Sequence, residues 1–226
     1  IQLGEEPDRV KNVGAIGLDH ISRSSFMSIS ELSKSISFPL SKPFLLVTYH
    51  PVTLADENPE VTFQAILDSL DEFSDYQVII TYPNADDGGR KIIPLLKDYA
   101  KNNPARVLAI PSLGQKRYLS AVKHSAAVVG NSSSGIIEAP SFDIATINIG
   151  MRQQGRLSGK SVINCSTNKK DIVDALNTGI KKKYKINNEF ISNPYEQGGA
   201  SAKIISCIKK LNPSRYKIFY NLSEKS

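Results

Sequence analysis

Ala126–Pro140, reading AAVVGNSSSGIIEAP, constrains this chain more than any other stretch. The apolar run Ala126–Val129 meets Gly130-Asn131-Ser132-Ser133-Ser134-Gly135, and Ile136-Ile137-Glu138 then opens a helical pattern. This order predicts a buried parallel strand, a tight loop and a helix start. A helix start exposes unpaired N–H groups and the positive end of a dipole, which suits an anion. Three hydroxyls add donors, and the two glycines let a ligand come close to the backbone. Glu138 is expected one turn into the helix, where a carboxylate can accept from sugar hydroxyls. A guest with phosphate at one end and a ribose diol at the other is a nucleotide. An ordinary serine cap with a Glu near the third helical position would account for a lone S-x-x-E pattern. The strand, the glycine-flanked triple serine and the placed Glu together favour the ligand.

The rest of the chain supplies the scaffold that this reading needs. From Phe44 onward, apolar strand candidates are Phe44–Thr48, Gln77–Thr81, Arg106–Ile110, Ala126–Val129, Ala145–Ile149 and Ser161–Cys165. Helical candidates lie between and after them: Glu60–Phe73, Gly89–Asn102, Lys116–His124, Ser134–Phe142 and Lys169–Gly179. The alternation predicts an α/β fold, a doubly wound parallel sheet with helices on both faces. Residues 1 to 42, with Gly4, Pro7, Gly14, Gly17, Pro39 and a Ser-rich segment, read as irregular. A chain of 226 residues, 40% of them hydrophobic, is long enough to bury one large core or two small ones.

Composition narrows the function classes. No apolar run approaches the roughly 20 residues of a membrane-spanning helix, so no membrane partner is expected. The opening Ile1-Gln2-Leu3-Gly4-Glu5-Glu6 does not read as a signal peptide, and without an initiator Met the chain reads as a fragment or processed product. Cys165 and Cys207 stand far apart without metal-like spacing. Cys165 reads as a buried strand-end thiol, and the low cysteine usage fits a reducing cytoplasm. The net charge of +6 owes much to Lys181-Lys182-Lys183, Lys185 and Lys209-Lys210. No basic stripe with interleaved aromatics accompanies it, so no nucleic-acid partner is expected. A positive field still favours an anionic substrate.

Ligands of open parallel sheets bind outside the carboxyl ends of the strands. The segments there hold most of the candidate chemistry: His50, Asn84, Asp86, the 130–135 loop, and Arg152 between Gly150 and Gly155. His50, before Pro51, is a packed strand-end histidine or a functional one. Asn84 and Asp86 are turn residues or ligand contacts, and Asp87 reads as a turn residue. Arg152 is a surface cation or one that wraps an anion. Leu113 and Tyr118 read equally as core. His20 and His124 read as structural or surface residues. No metal-ligand cluster is visible, and no G-x-G-x-x-G opens a helix, so no metal and no nicotinamide cofactor is expected.

Four motifs then occur in a recognisable order. They are Val47-Thr48-Tyr49-His50-Pro51-Val52-Thr53, Tyr82-Pro83-Asn84-Ala85-Asp86, Val129–Glu138, and Asn148-Ile149-Gly150-Met151-Arg152-Gln153-Gln154-Gly155-Arg156. In this order and spacing the chain resembles the hydrolysing UDP-N-acetylglucosamine 2-epimerases of the bacterial sialic-acid pathway, from about Val10 to about Leu211. The residues after His50 resemble the hydrolysing branch, not the Arg-rich non-hydrolysing one.

The resemblance implies the C-terminal, nucleotide-binding half of a two-domain GT-B enzyme. Residues 1–42 would be an interdomain linker and lead-in segment, 43–192 the Rossmann-like domain, and 193–226 the C-terminal helix and tail. It implies elimination of UDP across carbons 1 and 2 of the sugar, followed by hydration to N-acetylmannosamine. Ser132 and Ser133 would hold the diphosphate, Glu138 the ribose, and Leu113 and Tyr118 the uracil. His50 and Asn84 would face the sugar or phosphate, His50 as the catalytic candidate, and Arg152 would be a closing cation. Partners implied are UDP-N-acetylglucosamine or a related UDP-sugar, the N-terminal domain of the same protein, and further copies of the full-length chain in a homo-oligomer. The acidic residues that act at carbon 2 would come mainly from the N-terminal domain. The alternatives are a nucleotide-sugar-binding regulatory module without catalysis and a GT-B glycosyltransferase.

Overall fold

In the computed structural model, residues 1–52, 58–85, 87–181, 193–212, 216 and 218–222 are described. Six strands are present: β1 (Phe44–Thr48), β2 (Gln77–Thr81), β3 (Val107–Ile110), β4 (Ala127–Gly130), β5 (Thr146–Ile149) and β6 (Val162–Cys165). They pair in parallel in the order β3-β2-β1-β4-β5-β6. Between and around them run α1 (Ile16–Arg23), α2 (Ile29–Ser35), α3 (Pro59–Asp71), α4 (Asp87–Asn102), α5 (Gly114–His124), α6 (Ser133–Ile137), α7 (Lys169–Lys181) and α8 (Ala200–Lys210).

The central strands are buried on both faces, which is why they read as continuous apolar runs. Successive side chains alternate between two cores. Leu45 and Val47 of β1 join Ile66, Ile80, Ile92, Ile147 and Ile172 under α3, α4 and α7. Phe44 and Leu46 join Leu32, Ile79, Leu113 and Val122 under α2 and α5. At roughly 1.5–3 kcal/mol for each large apolar side chain removed from water, these two layers supply most of the drive to fold.

Three expectations are corrected. Residues 1–42 are not irregular throughout, because they carry α1 and α2. The side chain of Ser28 caps α2, and the Glu31 carboxylate returns to the Ser28 N–H at 2.8 Å, a reciprocal capping box. The helix expected over Ser134–Phe142 is broken: α6 ends at Ile137, and a 3-10 turn follows over Ala139–Phe142. Pro140 lacks the N–H a continuing helix would use and disfavours helical geometry in the residue before it. Glu138 therefore sits at the C-terminal cap of α6, and no capping box with a serine forms there. Cys165 is half-buried rather than fully buried.

Candidate functional site

The strand order reverses between β1, which continues outward to β2 and β3, and β4, which continues to β5 and β6. The segments after β1 and β4 consequently diverge to opposite faces, and a crevice opens between them at the carboxyl edge. His50 follows β1, and the 130–135 loop follows β4.

Gly130 makes their approach possible. Its φ is +128°, and an added Cβ would collide with the Thr48 carbonyl. Asn131, 1% exposed, then fastens the loop to β1. Its N–H donates to Thr48 O at 3.2 Å. Its side chain accepts from the His50 N–H at 2.8 Å and donates to the His50 carbonyl at 2.8 Å. Its own carbonyl accepts from Arg152 Nη1 at 3.0 Å and Gln153 Nε2 at 2.7 Å. The loop after β5 is thus drawn over the loop after β4. The Asn84 N–H donates to His50 Nδ1 at 3.1 Å, which brings the segment after β2 to the same place.

The serines flank this knot. Ser132 caps α6, its hydroxyl accepting from the Ser134 N–H at 3.4 Å. Ser133 opens α6 and is half-buried, and its hydroxyl makes no hydrogen bond among the described residues. Tyr118, on α5, reaches the far side of the same loop. Its hydroxyl is out of solvent and unpartnered among the described residues, as is that of Ser134. Burial raises the Tyr118 pKa and the Glu138 charge adds to the rise, while the facing hydroxyls of Ser134, Thr48 and Ser132 oppose it. Those hydroxyls approach Tyr118 without hydrogen-bond geometry, so they solvate it only weakly.

His50, Asn84, Tyr118, Ser132, Ser133, Glu138 and Arg152 are therefore assembled around one end of the sheet. Leu113 is at this edge too, but its side chain is 2% exposed in the core beneath α5, so main chain is what it presents to a ligand. Asp86 and Thr53 lie outside the described residues, as do Lys182, Lys183 and Lys185. His124 is structural: its Nε2 is 2.8 Å from the Met27 carbonyl. Among the described residues no group of three or more His, Cys, Asp or Glu could hold a metal, and no helix is long and apolar enough to cross a membrane.

Reading the sequence for chemistry passed over Asn131 and Gln153. Asn131 pairs with His50 across 81 positions, and no local pattern announces such a pairing. The only signal was an amide between Gly130 and a serine run.

Fold and crevice define a doubly wound, Rossmann-like domain of the kind that takes its ligand at the sheet's reversal. The chain belongs to the UDP-N-acetylglucosamine 2-epimerase family, whose pattern matches residues 1–209. It is 37% identical over 213 residues to the hydrolysing GDP/UDP-N,N'-diacetylbacillosamine 2-epimerase of Campylobacter jejuni, covering 94% of this chain and 55% of that protein. It is 32% identical over 180 residues to the UDP-N-acetylglucosamine 2-epimerase of Neisseria meningitidis, covering 78% of this chain and 45% of that protein. The crystal structure of UDP-GlcNAc 2-epimerase from Neisseria meningitidis bound to UDP-GlcNAc shares the fold, with a TM-score of 0.69 at 17% identity over 92% of this chain and 57% of that one. The chain spans about half the length of the curated relatives it matches.

Proposed function

We propose that this chain forms the UDP-binding half of a hydrolysing UDP-N-acetylglucosamine 2-epimerase of GT-B architecture. The strand reversal that sets His50 against the 130–135 loop is the observation that carries the reading, and family membership supports it. Residues 43–192 bind the nucleotide. Residues 1–42 and 193–226 join this half to an N-terminal domain supplied by the longer protein.

The diphosphate lies against Ser132 and Ser133, whose hydroxyls and main chain meet the charge that grows on it as the bond to the sugar breaks. Fixed donors at such a position lower the barrier without reorganising. Arg152 closes over the anion from the loop after β5. Glu138 accepts from the ribose, and the uracil rests on the Leu113 main chain beside Tyr118. His50 and Asn84 face the phosphate or sugar.

The bond from carbon 1 to the diphosphate oxygen breaks as the carbon 2 proton leaves to a base. Water then adds across the resulting double bond, and the products are UDP and N-acetylmannosamine. The relative from Campylobacter jejuni is named for a diacetamido sugar, which supports a related UDP-sugar as the alternative substrate. The cytoplasm, where nucleotide sugars are made, suits this substrate and the two free cysteines. The full-length protein works as a homo-oligomer. The experiment is incubation of the full-length gene product with UDP-N-acetylglucosamine. Appearance of free UDP with N-acetylmannosamine is expected, and intact substrate after prolonged incubation would remove the reading.

A further inference from the structure

We propose that Asn131 is a positioning residue for His50, and that it and the Asn84 main chain hold the imidazole as a hydrogen-bond donor through Nε2. The inference rests on the reading above that His50 faces the UDP-sugar, and it adds which atom of the ring carries the proton.

The argument begins with what each group can do. A main-chain N–H only donates, so His50 Nδ1, 3.1 Å from Asn84 N, accepts and carries no proton. The proton of the neutral ring is then on Nε2. That tautomer has no lone pair at Nε2. It cannot remove the carbon 2 proton with that atom, but it can donate to a phosphate or sugar oxygen.

The geometry behind the tautomer depends on Asn131. His50 follows the last residue of β1 by two positions, where the ladder no longer holds the backbone: Thr48 is the last residue paired, with Gly130. The Asn131 amide replaces the ladder there, taking the His50 N–H and giving to its carbonyl, both at 2.8 Å. One side chain thus clasps the His50 backbone on both its N–H and its carbonyl, while the Asn84 N–H meets the ring. Asn131 cannot swing away, because its own N–H and carbonyl are held by Thr48, Arg152 and Gln153. The Arg152 and Gln153 contacts are to the Asn131 main-chain carbonyl, which Asn131→Ala retains, so that substitution removes only the clasp on His50.

The test reads the ring directly. The protein has three histidines, His20, His50 and His124, and His50→Gln assigns the His50 signals in nitrogen-15 spectra of the labelled chain. In spectra recorded above the ring's own titration, located in the same pH series, the wild type is expected to give one unprotonated Nδ1 and one protonated Nε2. Asn131→Ala should collapse this to an averaged pair of tautomers. Asn131→Asp keeps the acceptor for the His50 N–H and loses the donor, and it decides the matter should the Ala variant fail to fold. A folded variant that keeps the wild-type tautomer pattern overturns the proposal. A cycle with UDP as the probe gives the second readout. Asn131→Ala should weaken binding in the wild-type background and change nothing further in His50→Ala, whereas additive losses in the double variant overturn the positioning role. If wild type binds no UDP at all, the nucleotide reading falls, and the ring spectra still decide Asn131.

Discussion

The carboxylate of Asp19 on α1 accepts from the Ser201 N–H at 2.7 Å and from the Ala200 N–H at 3.0 Å, across more than 180 residues of chain. The helix α8 has Gly199 at its N-cap in the left-handed region and no side-chain cap of its own. Asp19 caps it from another element, and so ties the start of the described chain to its end. These hydrogen bonds, the Ser201 N–H foremost, hold the Asp19 pKa below the ordinary carboxylate value of 3.8. A depressed folded pKa means stability that is present above the unfolded value and lost as pH falls through the folded one. Thermal melts of wild type and Asp19→Asn should differ most at neutral pH and converge in acid. A gap that stays constant with pH would show that the carboxylate charge is not what α8 uses.

The two thiols should react on separate timescales. Burial pushes the Cys165 thiol up to about 12, with the Asp171 charge adding to it. Cys207 on α8 is exposed. Thiolate is the reactive form, so Cys207 should be modified in a fast phase and Cys165 in a slow one. A single phase of two equivalents under native conditions would contradict the packing around β6.

Ser133→Ala should weaken UDP binding by about 1–3 kcal/mol, the worth of a donor to a charged group. The Ser133 hydroxyl makes no hydrogen bond among the described residues, so its removal should leave the melt almost unchanged. Calorimetry of both proteins separates the two quantities. Equal UDP affinity would remove Ser133 from the diphosphate site.

Glu138 gives a cleaner discrimination than the sequence offered. As the C-terminal cap of α6 it closes no capping box, so Glu138→Gln should not lower stability through a lost cap. If it accepts from the ribose hydroxyls, wild type should prefer UDP to 2′-deoxy-UDP, and the variant should lose that preference. An unaltered preference in Glu138→Gln would place the ribose elsewhere.

The sheet was legible because its cause is local. Central strands buried on both faces must be apolar throughout, and the ranges read for β1 and β2 agree with the structure. β3 to β6 each begin one residue later than expected and β4 ends one later, at Gly130, while Arg106, Ala126, Ala145 and Ser161 each still make one main-chain hydrogen bond to the neighbouring strand. Local signals were also overlooked: Ser28-Ile29-Ser30-Glu31 spells the α2 capping box, and Pro140 marks the break after α6. The site was legible as a set of post-strand segments. What holds it together was not, because the hydrogen bonds from Asn131 to His50 and from Asn84 to His50 depend on strand order, which no single segment encodes. The partitioning of Leu113 into the core has the same origin: only the packed sheet decides which face of α5 is covered.

The last prediction is that this 226-residue chain folds and binds UDP but releases none from UDP-N-acetylglucosamine, and that turnover appears with the N-terminal half of the longer protein. Folding rests on the two complete cores on either side of the sheet. Silence rests on the absence of a suitable base among the described residues of the crevice. Proton abstraction at carbon 2 needs a group with a free lone pair within about 3 Å of the hydrogen. The Asn84 N–H occupies Nδ1 of His50, and the neutral ring carries its proton on Nε2. The Glu138 charge acts on the Tyr118 hydroxyl, and Glu138 is assigned to the ribose. A crevice with one wall also leaves the sugar unpositioned, which forfeits most of what a closed site gains from orientation. UDP release should be measured for this chain and for the full-length protein side by side. Comparable rates would place the base on this chain and make His50, through a ring flipped away from Asn84, the first residue to replace.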